Sequence, residues 1–245
     1  MRELFAPAKL TWFLEVTRRR EDGYHELRAE MTTLAFGDSL ELDEAQDYLT
    51  MEGAELALDA TNLVTRALAL VGRRAGVHLI KRIPPGGGLG GGSADAAAIL
   101  RWAGGVDVAA ALTLGADVPF CLLGGRALVE GVGERLTPLI FEKRDVTLLV
   151  PDFSVTTALV YRAYDEMVAA GQRPSGRNHL EAPAVLVEPR LGETLAWARE
   201  RFGEVTLAGS GSTMFVAAHV DAHRESWREE GPEGPVRVVQ TTTAP

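Results

Sequence analysis

Residues 84–94 read PPGGGLGGGSA and place six glycines directly before an alanine-rich segment. Glycine loses more conformational freedom on folding than any other residue, so such a cluster is expected where backbone takes positive φ or closely approaches a ligand. A helix that starts here would direct free amide groups and the positive end of its dipole at one point. The hydroxyl of Ser93 could contact a phosphate oxygen or a bound Mg²⁺. The segment therefore predicts a phosphate-binding loop.

The spacing of these residues decides between types of phosphate loop. A Walker loop needs Lys followed by Ser or Thr after its last glycine, but Gly92 stands directly before Ser93, which excludes a P-loop NTPase. A G-x-G-x-x-G match exists at Gly86, Gly88 and Gly91, yet two prolines interrupt its approach and another helix follows where a Rossmann fold needs a strand. Close helix packing alone would need only one or two glycines. A nucleoside triphosphate is favoured over a dinucleotide.

Alternating and helical patterns predict the elements around this loop. Residues 9–16 alternate as a half-buried strand, and extended segments at 22–36 and 38–45 follow the Asp22-Gly23 turn signal. Asn62 is placed to cap a helix, and residues 77–83 form a strand before the loop. Ser93 is expected to cap the next helix, which ends at glycines 104 and 105.

The remaining segments mix helices and strands in both halves. We expect a short helix at 107–115 and a hairpin around glycines 124 and 125. After residue 143 the pattern predicts strands at 146–151, 205–209, 214–220 and 236–240, and helices at 156–171, 191–203 and 221–231. This order predicts an α+β fold with two lobes, residues 1–143 carrying the phosphate loop and residues 144–245 forming a C-terminal α+β lobe.

Composition narrows the class of protein. The 245 residues are 46% apolar and 24% charged, as in globular proteins, and the net charge of -9 argues against a general nucleic-acid or anionic-membrane binder. Cys121 is the single cysteine, which rules out an intrachain disulfide and a zinc cluster. Charges at Glu3, Lys9 and Glu15 interrupt the first apolar stretch, so we expect neither a signal peptide nor an anchor. The predicted location is cytoplasmic.

Four segments, in order, resemble the signatures of the GHMP small-molecule kinases. They are PAKLTWFLEVTRRREDGYHEL at 7–27, IPPGGGLGGGSADAAA at 83–98, LGADVPFCLLGGRALVEGVGE at 114–134 and AGSGSTMF at 208–215. The resemblance implies a two-lobed α+β fold with ATP, Mg²⁺ and substrate in a cleft between lobes. It implies ATP binding by the residues of the glycine loop: Pro84, Pro85, Gly86, Gly87, Gly88, Leu89, Gly90, Gly91, Gly92, Ser93 and Ala94.

The same resemblance implies catalytic and substrate-binding residues. Lys9 matches the catalytic lysine and Asp117 the catalytic acid, types that suit charge neutralisation and acceptance of a hydroxyl proton during phosphoryl transfer. The segments PAK, DGYHEL and LGADVPFCL favour one substrate within the family. It is a methylerythritol unit joined to cytidine diphosphate, phosphorylated at its 2-hydroxyl in non-mevalonate isoprenoid synthesis.

Five residues match positions that hold this substrate. Tyr24 and His25 match a pair that stacks on cytosine and hydrogen-bonds its edge, Tyr161 matches the aromatic on the opposite face, and Thr157 resembles a further contact. Thr11 stands where the family usually has Asn, and its hydroxyl reaches less far.

Two other functions stay open from the sequence. The fold could serve another small alcohol such as homoserine or mevalonate, although DGYHEL argues against this, or the chain could bind a nucleotide without catalysis. Beyond Ser93 no metal ligand is assigned. The expected partner is the small-molecule substrate alone, with no nucleic acid and no membrane, and the protein is expected to be a monomer or a weak homodimer.

Overall fold

Two long antiparallel strands form the centre of the first half. The computed structural model describes all 245 residues, and in it β1 (Arg2–Arg19) pairs with β2 (His25–Asp43) almost from end to end. The two extended segments expected at 22–36 and 38–45 are thus largely one strand. Gly37 sits between them because a Cβ there would overlap the carbonyl oxygen of Ala6 on β1.

Four further strands extend this sheet, and four helices accompany it. The elements are β3 (Leu49–Glu52), α1 (Leu63–Leu70), β4 (Gly76–Ile80), α2 (Gly91–Trp102), α3 (Val108–Leu112), α4 (Val118–Leu123), β5 (Arg126–Gly131) and β6 (Arg135–Pro138). Strand β4 pairs antiparallel with β2 and parallel with β3, whereas β5 pairs with β2 and β6. Helix α2 is buried continuously from Ala94 to Leu100, which fixes its N-terminus, and the glycine loop before it, against β1.

The second half contains five strands and three helices. They are β7 (Asp145–Pro151), α5 (Thr157–Ala169), α6 (Glu181–Val187), α7 (Arg190–Phe202), β8 (Thr206–Leu207), β9 (Met214–Val216), β10 (Ser226–Gly231) and β11 (Gly234–Ala244). Strand β11 pairs with β10 and β7 and then, through Thr243 and Ala244, with β2 of the first half. The strands of both halves therefore belong to one eleven-stranded sheet, and a single apolar core joins them.

The α+β prediction is confirmed. The predicted cap at Asn62 is confirmed as well, since its side chain accepts a hydrogen bond from the amide of Val64 at the start of α1. Ser93 is not the cap of α2, because the helix begins at Gly91 and Gly90 takes the cap position with φ of 69°. No helix of the chain is both long and apolar enough to cross a bilayer.

Two other local predictions are wrong, and one helix was not predicted. Residues 118–123 form α4 and not the first strand of a hairpin, since Pro119 stands in the first turn and Val118 and Phe120 are buried. The helix expected at 221–231 is absent, and its second half is β10, which pairs along its length with β11. Helix α6, with Pro183 in its first turn, was not expected at all.

Candidate functional site

A cavity of about 340 Å³ lies where the two halves meet. Its wall contains most of the glycine loop, together with Lys9 and Asp117 from the first half and Thr157, Tyr161 and Ser210 from the second. The structure thus places in one cavity most of the residues assigned by resemblance to ATP, catalysis and substrate. Thr11, Tyr24 and His25 are not part of its wall.

The glycine loop is held in place on both sides by backbone hydrogen bonds. The amide of Lys9 donates to the carbonyl of Leu89 at 3.0 Å, and the amide of Thr213 donates to the carbonyl of Gly87 at 3.2 Å. Gly88 has φ of 76°, and a Cβ there would overlap the carbonyl oxygen of Ala208. Glycine is therefore required at Gly88 both for its conformation and for its contact with residues 208–213, which we call the second loop.

The N-terminus of α2 opens into the cavity directly after this loop. Gly91, Gly92 and Ser93 form the first turn, where amide groups have no acceptor within the helix. All three residues line the cavity, and the hydroxyl of Ser93 makes no hydrogen bond to the protein. The combined amides and helix dipole suit an anion, and the free hydroxyl adds a hard oxygen of the kind that Mg²⁺ prefers.

Lys9 and Asp117 face each other in the cavity. Lys9 lies on β1 and is 5% exposed, and its Nζ atom is 3.3 Å from Oδ2 of Asp117 and 3.3 Å from Oγ1 of Thr11. The Asp117 side chain is 33% exposed and makes no capping bond to α4, although it stands at the cap position. The carboxylate is therefore free to act on a ligand, and the buried ammonium stabilises negative charge beside it.

A buried ion cluster that the sequence reasoning missed supports both ends of the glycine loop. Nζ of Lys81 lies 2.5 Å from Oδ2 of Asp38 and 2.6 Å from Oδ2 of Asp95. The other oxygen of Asp38 accepts hydrogen bonds from the amides of Arg82 and Ile83. Lys81 precedes the loop and Asp95 follows it on α2, so this ion cluster fixes the separation of the two ends.

One ammonium group pairs with two carboxylates in this buried cluster, and this arrangement shifts the pKa values of Asp95 and Lys81. Burial raises the pKa of Asp95 to about 7, with the charge of Lys81 opposing the rise. Burial would lower the pKa of Lys81, but the charges of Asp95 and Asp38 outweigh it and raise that pKa. The sign of this ion cluster in the sequence is that a lysine and an aspartate flank the glycines.

The expected cytosine-binding residues are divided by the structure. The rings of His25 and Tyr161 stack with centroids 4.8 Å apart, and Nε2 of His25 lies 2.7 Å from Oδ1 of Asp165 on α5. Tyr24 is 65% exposed and lines a separate cavity of about 610 Å³. Tyr24 and Tyr161 therefore line different cavities, and it is the ring of His25 that stacks on Tyr161.

Asn178 holds the second loop, and sequence reasoning missed it as well. Its side-chain amide donates to the carbonyls of Leu207 and Gly209 at 2.9 and 2.7 Å. In the same loop Ser210 shares a 2.8 Å hydrogen bond with Thr157, which joins the loop to the start of α5. The buried asparagine thus positions the wall that faces Lys9.

No group of three or more His, Cys, Asp or Glu side chains in the chain is arranged to hold a metal ion by itself. A metal at this site would therefore need oxygens from its ligand, as Mg²⁺ bound with a nucleotide has.

Comparison with known proteins gives a consistent set of relatives. Residues 56–125 match the GHMP kinases N terminal domain. The 4-diphosphocytidyl-2-C-methyl-D-erythritol kinase of Thermus thermophilus is 39% identical, with 90% of this chain and 89% of that protein covered. The enzyme of the same name from Deinococcus radiodurans is 40% identical, with 91% and 86% covered.

Solved structures agree. A crystal structure of a 4-(cytidine 5'-diphospho)-2C-methyl-D-erythritol kinase matches with a TM-score of 0.72 and 36% identity over the whole of both chains. The mevalonate kinase of Methanococcus jannaschii matches with a TM-score of 0.60 at 12% identity, a likeness of fold alone.

Proposed function

Because the chain belongs to the 4-diphosphocytidyl-2-C-methyl-D-erythritol kinase family, we propose that it transfers the γ-phosphoryl group of ATP to the 2-hydroxyl of 4-diphosphocytidyl-2-C-methyl-D-erythritol. This is a step of non-mevalonate isoprenoid synthesis. The observation that carries the proposal is the meeting of Lys9 and Asp117 with the glycine loop in one cavity.

The glycine loop and the start of α2 are proposed to hold the phosphates of ATP. Amides of the first helical turn would donate to phosphate oxygens, and Ser93 would contact either a phosphate or the Mg²⁺ bound to it. Mg²⁺ supplies charge neutralisation on the phosphates when it is bound. The ion cluster of Lys81 and Asp95 fixes both ends of segment 84–94, so the segment is held as one unit. We assign the whole segment to nucleotide binding.

Asp117 and Lys9 are proposed to act on the reacting groups. As the acceptor oxygen forms its bond to phosphorus and the bond to the ADP oxygen breaks, the hydroxyl proton passes to the Asp117 carboxylate. The ammonium of Lys9, 3.3 Å from that carboxylate, stabilises the negative charge that builds up on the transferred group. Thr11 holds the Lys9 ammonium from the side of β1.

The cytidine end of the substrate is assigned to the surface around α5. Thr157 and Tyr161 line the cavity, and His25 contacts Tyr161, so a base placed here meets an aromatic ring and an imidazole. Tyr24, which is exposed and adjacent to His25, is proposed to stack on the base from outside.

The test is an ADP-release assay that compares acceptors. The cytidylylated substrate should support Mg²⁺-dependent turnover, whereas unmodified methylerythritol, mevalonate and homoserine should not. Faster turnover of mevalonate or homoserine would assign the chain to another member of the fold. Nucleotide binding with no transfer to any of these alcohols would leave a binding module and overturn the proposal.

We further propose a cytoplasmic protein that acts as a monomer or weak homodimer without nucleic-acid partners. The net charge of -9 and the single buried cysteine support this. We also propose that the chain divides into lobes at residues 1–143 and 144–245, because β7, the first strand of the second half, begins at Asp145.

A further inference from the structure

A second cavity, of about 490 Å³, shares a wall with the first. Pro84 and Pro85 line both cavities, so the start of the glycine loop separates them. The rest of the second cavity is formed by other parts of the chain, including Asp152, Phe153, Ser154 and Ser212. None of these residues has a part in the proposed reaction.

Three arginines converge on this second cavity. Arg228 on β10 and Arg237 on β11 are direct partners across the antiparallel pair, so their side chains leave the sheet on the same face. Nη2 of Arg237 donates to the backbone carbonyl of Arg82 at 2.9 Å. Arg82 is the third arginine of the wall, and its own Nη1 atom donates to Oγ of Ser39 at 3.0 Å. We call Arg82, Arg228 and Arg237 the arginine cluster.

The positive charge of the arginine cluster is not neutralised by the protein. None of the three guanidinium groups lies within 4.0 Å of a carboxylate, although most other arginines of the chain pair with an acid. Asp152 is the one acidic residue that lines the cavity. Lys81 also lines the cavity, but its ammonium is paired with Asp38 and Asp95. Three guanidinium groups beside one carboxylate therefore leave an excess of positive charge, in a chain whose net charge is -9.

This arrangement is unfavourable without a bound anion. Like charges directly opposite each other on paired strands destabilise a sheet. Burial, and then the charge of Arg228, lower the pKa of Arg237, which is half-buried and cannot turn fully into solvent. Arginines that only confer solubility do not need to lie directly opposite each other on paired strands.

We propose that the arginine cluster forms a second anion site, which binds small molecules that carry a diphosphate group. The planar guanidinium fork matches phosphate oxygens in pairs, and three forks suit two linked phosphates better than one. A volume of about 490 Å³ is within the range of small-molecule sites. The hydroxyl of Ser154, which makes no hydrogen bond to the protein, adds a donor at the same wall.

The test is calorimetric titration of the full chain with inorganic diphosphate, with and without a saturating non-hydrolysable ATP analogue that fills the first cavity. We expect diphosphate to bind in both cases. Binding should weaken about tenfold or more in the double variant Arg228→Gln, Arg237→Gln, since two of the three guanidinium groups can then no longer form charged hydrogen bonds to the anion. The matched control is Arg173→Gln, an exposed arginine that has no ion pair, which should bind as the unaltered chain does.

Three results would overturn the site: no binding to the unaltered chain, equal binding to the double variant, or equal binding of sulfate at matched ionic strength. Thermal unfolding of Arg228→Gln is the second readout. Relief of repulsion should leave the melting temperature unchanged or higher, and a clear fall would make the cluster structural. Methyl diphosphate distinguishes two kinds of natural ligand. Binding tighter than that of inorganic diphosphate would indicate a diphosphate ester, and weaker binding would indicate the free diphosphate ion. Because no turnover is measured, the result is independent of the proposed reaction.

Discussion

Nζ of Lys9, in the middle of strand β1, lies 3.3 Å from Oδ2 of Asp117, at the start of helix α4. The two residues are joined through space by this ion pair and by their common position on the cavity wall. The pair is asymmetric, since Lys9 is buried whereas Asp117 is partly open to the cavity. The open side of the carboxylate can therefore accept a proton from a ligand while the ammonium of Lys9 stays beside it.

Replacement of Asp117 separates catalysis from folding. We expect Asp117→Asn to lower kcat by about 10²–10⁴-fold, because the amide cannot accept the hydroxyl proton. The chain should still fold, with a free energy of unfolding lower by about 1–3 kcal/mol, because the side chain caps no helix but is the ion-pair partner of the buried Lys9. Steady-state ADP release and urea unfolding measure the two effects.

The control for that variant is Asp107→Asn. Asp107 also stands directly before a short helix, and its side chain accepts a hydrogen bond from the amide of Ala110, a role that asparagine can retain. It should keep full activity. Full turnover by Asp117→Asn would remove this carboxylate from the proton-transfer step.

Two glycines with similar backbone angles should respond differently to a methyl group. Gly88 and Gly72 have φ of 76° and 63°, but a Cβ at Gly88 overlaps a backbone carbonyl whereas one at Gly72 meets nothing within 4 Å. Gly72→Ala should lower the free energy of unfolding by about 1 kcal/mol, and Gly88→Ala by about 1–3 kcal/mol more. Urea unfolding checks the difference, and equal losses would show that the contact between the two loops is not tight.

The buried ion cluster should make stability depend on pH. Burial raises the pKa of Asp95 to about 7 from an ordinary value of 3.8. Between these values the folded chain holds a proton that the unfolded chain has released, so this group's contribution to stability is lost as pH rises from about 4 to 7. Asp95→Asn cannot ionise and should lose this part of the dependence.

Urea unfolding of both chains at pH 4.5 and 7.5 measures that effect. The loss of stability over this interval should be larger for the unaltered chain than for Asp95→Asn. Asp47→Asn, a change of an exposed aspartate, should keep the dependence of the unaltered chain. If the free energy of unfolding changes equally between these pH values in the unaltered chain and in Asp95→Asn, the group that takes up the proton is not Asp95.

Asp165 should affect substrate binding more than the chemical step. Its Oδ1 atom lies 2.7 Å from Nε2 of His25, whose ring stacks on Tyr161. Asp165→Asn loses the charge that orients the imidazole, so KM for the cytidylylated substrate should rise about tenfold with kcat nearly unchanged. The neighbouring Glu166→Gln, which changes an exposed residue of the same helix, should leave both constants as they are. A fall confined to kcat would contradict this assignment.

The sequence could predict what depends on local pattern. Six glycines before an alanine-rich segment can be recognised without a structure, and the helix and loop lie where that pattern predicts them. The cap predicted at Ser93 lies three residues after the actual cap, Gly90, because glycines at positive φ already begin the turn. The strand at 226–231 was read as a helix because its pairing partner, β11, lies beyond it in the chain and overrides local propensity.

The sequence could not predict relationships that depend on tertiary packing. Lys81 and Asp38 are 43 residues apart, and nothing in either segment shows that one ammonium is buried between two acids. The same holds for Asn178, which reaches carbonyls about 30 residues away. Tyr24 and His25 are adjacent in the chain, yet Tyr24 lies in the turn before β2 and lines a separate cavity, whereas the ring of His25, the first residue of β2, stacks on Tyr161.

Strand β11 limits how the cavity can open and close. It pairs with β7 as far as Thr242 and with β2 from Thr243 onward, and Thr243 also hydrogen-bonds to Glu142 and Arg144 in the connection between the halves. A rotation of one half against the other cannot be a free hinge at that connection. It has to appear as torsion of the β11 backbone between Thr242 and Thr243, in the middle of the sheet, so the strand that joins the two halves also resists their rotation.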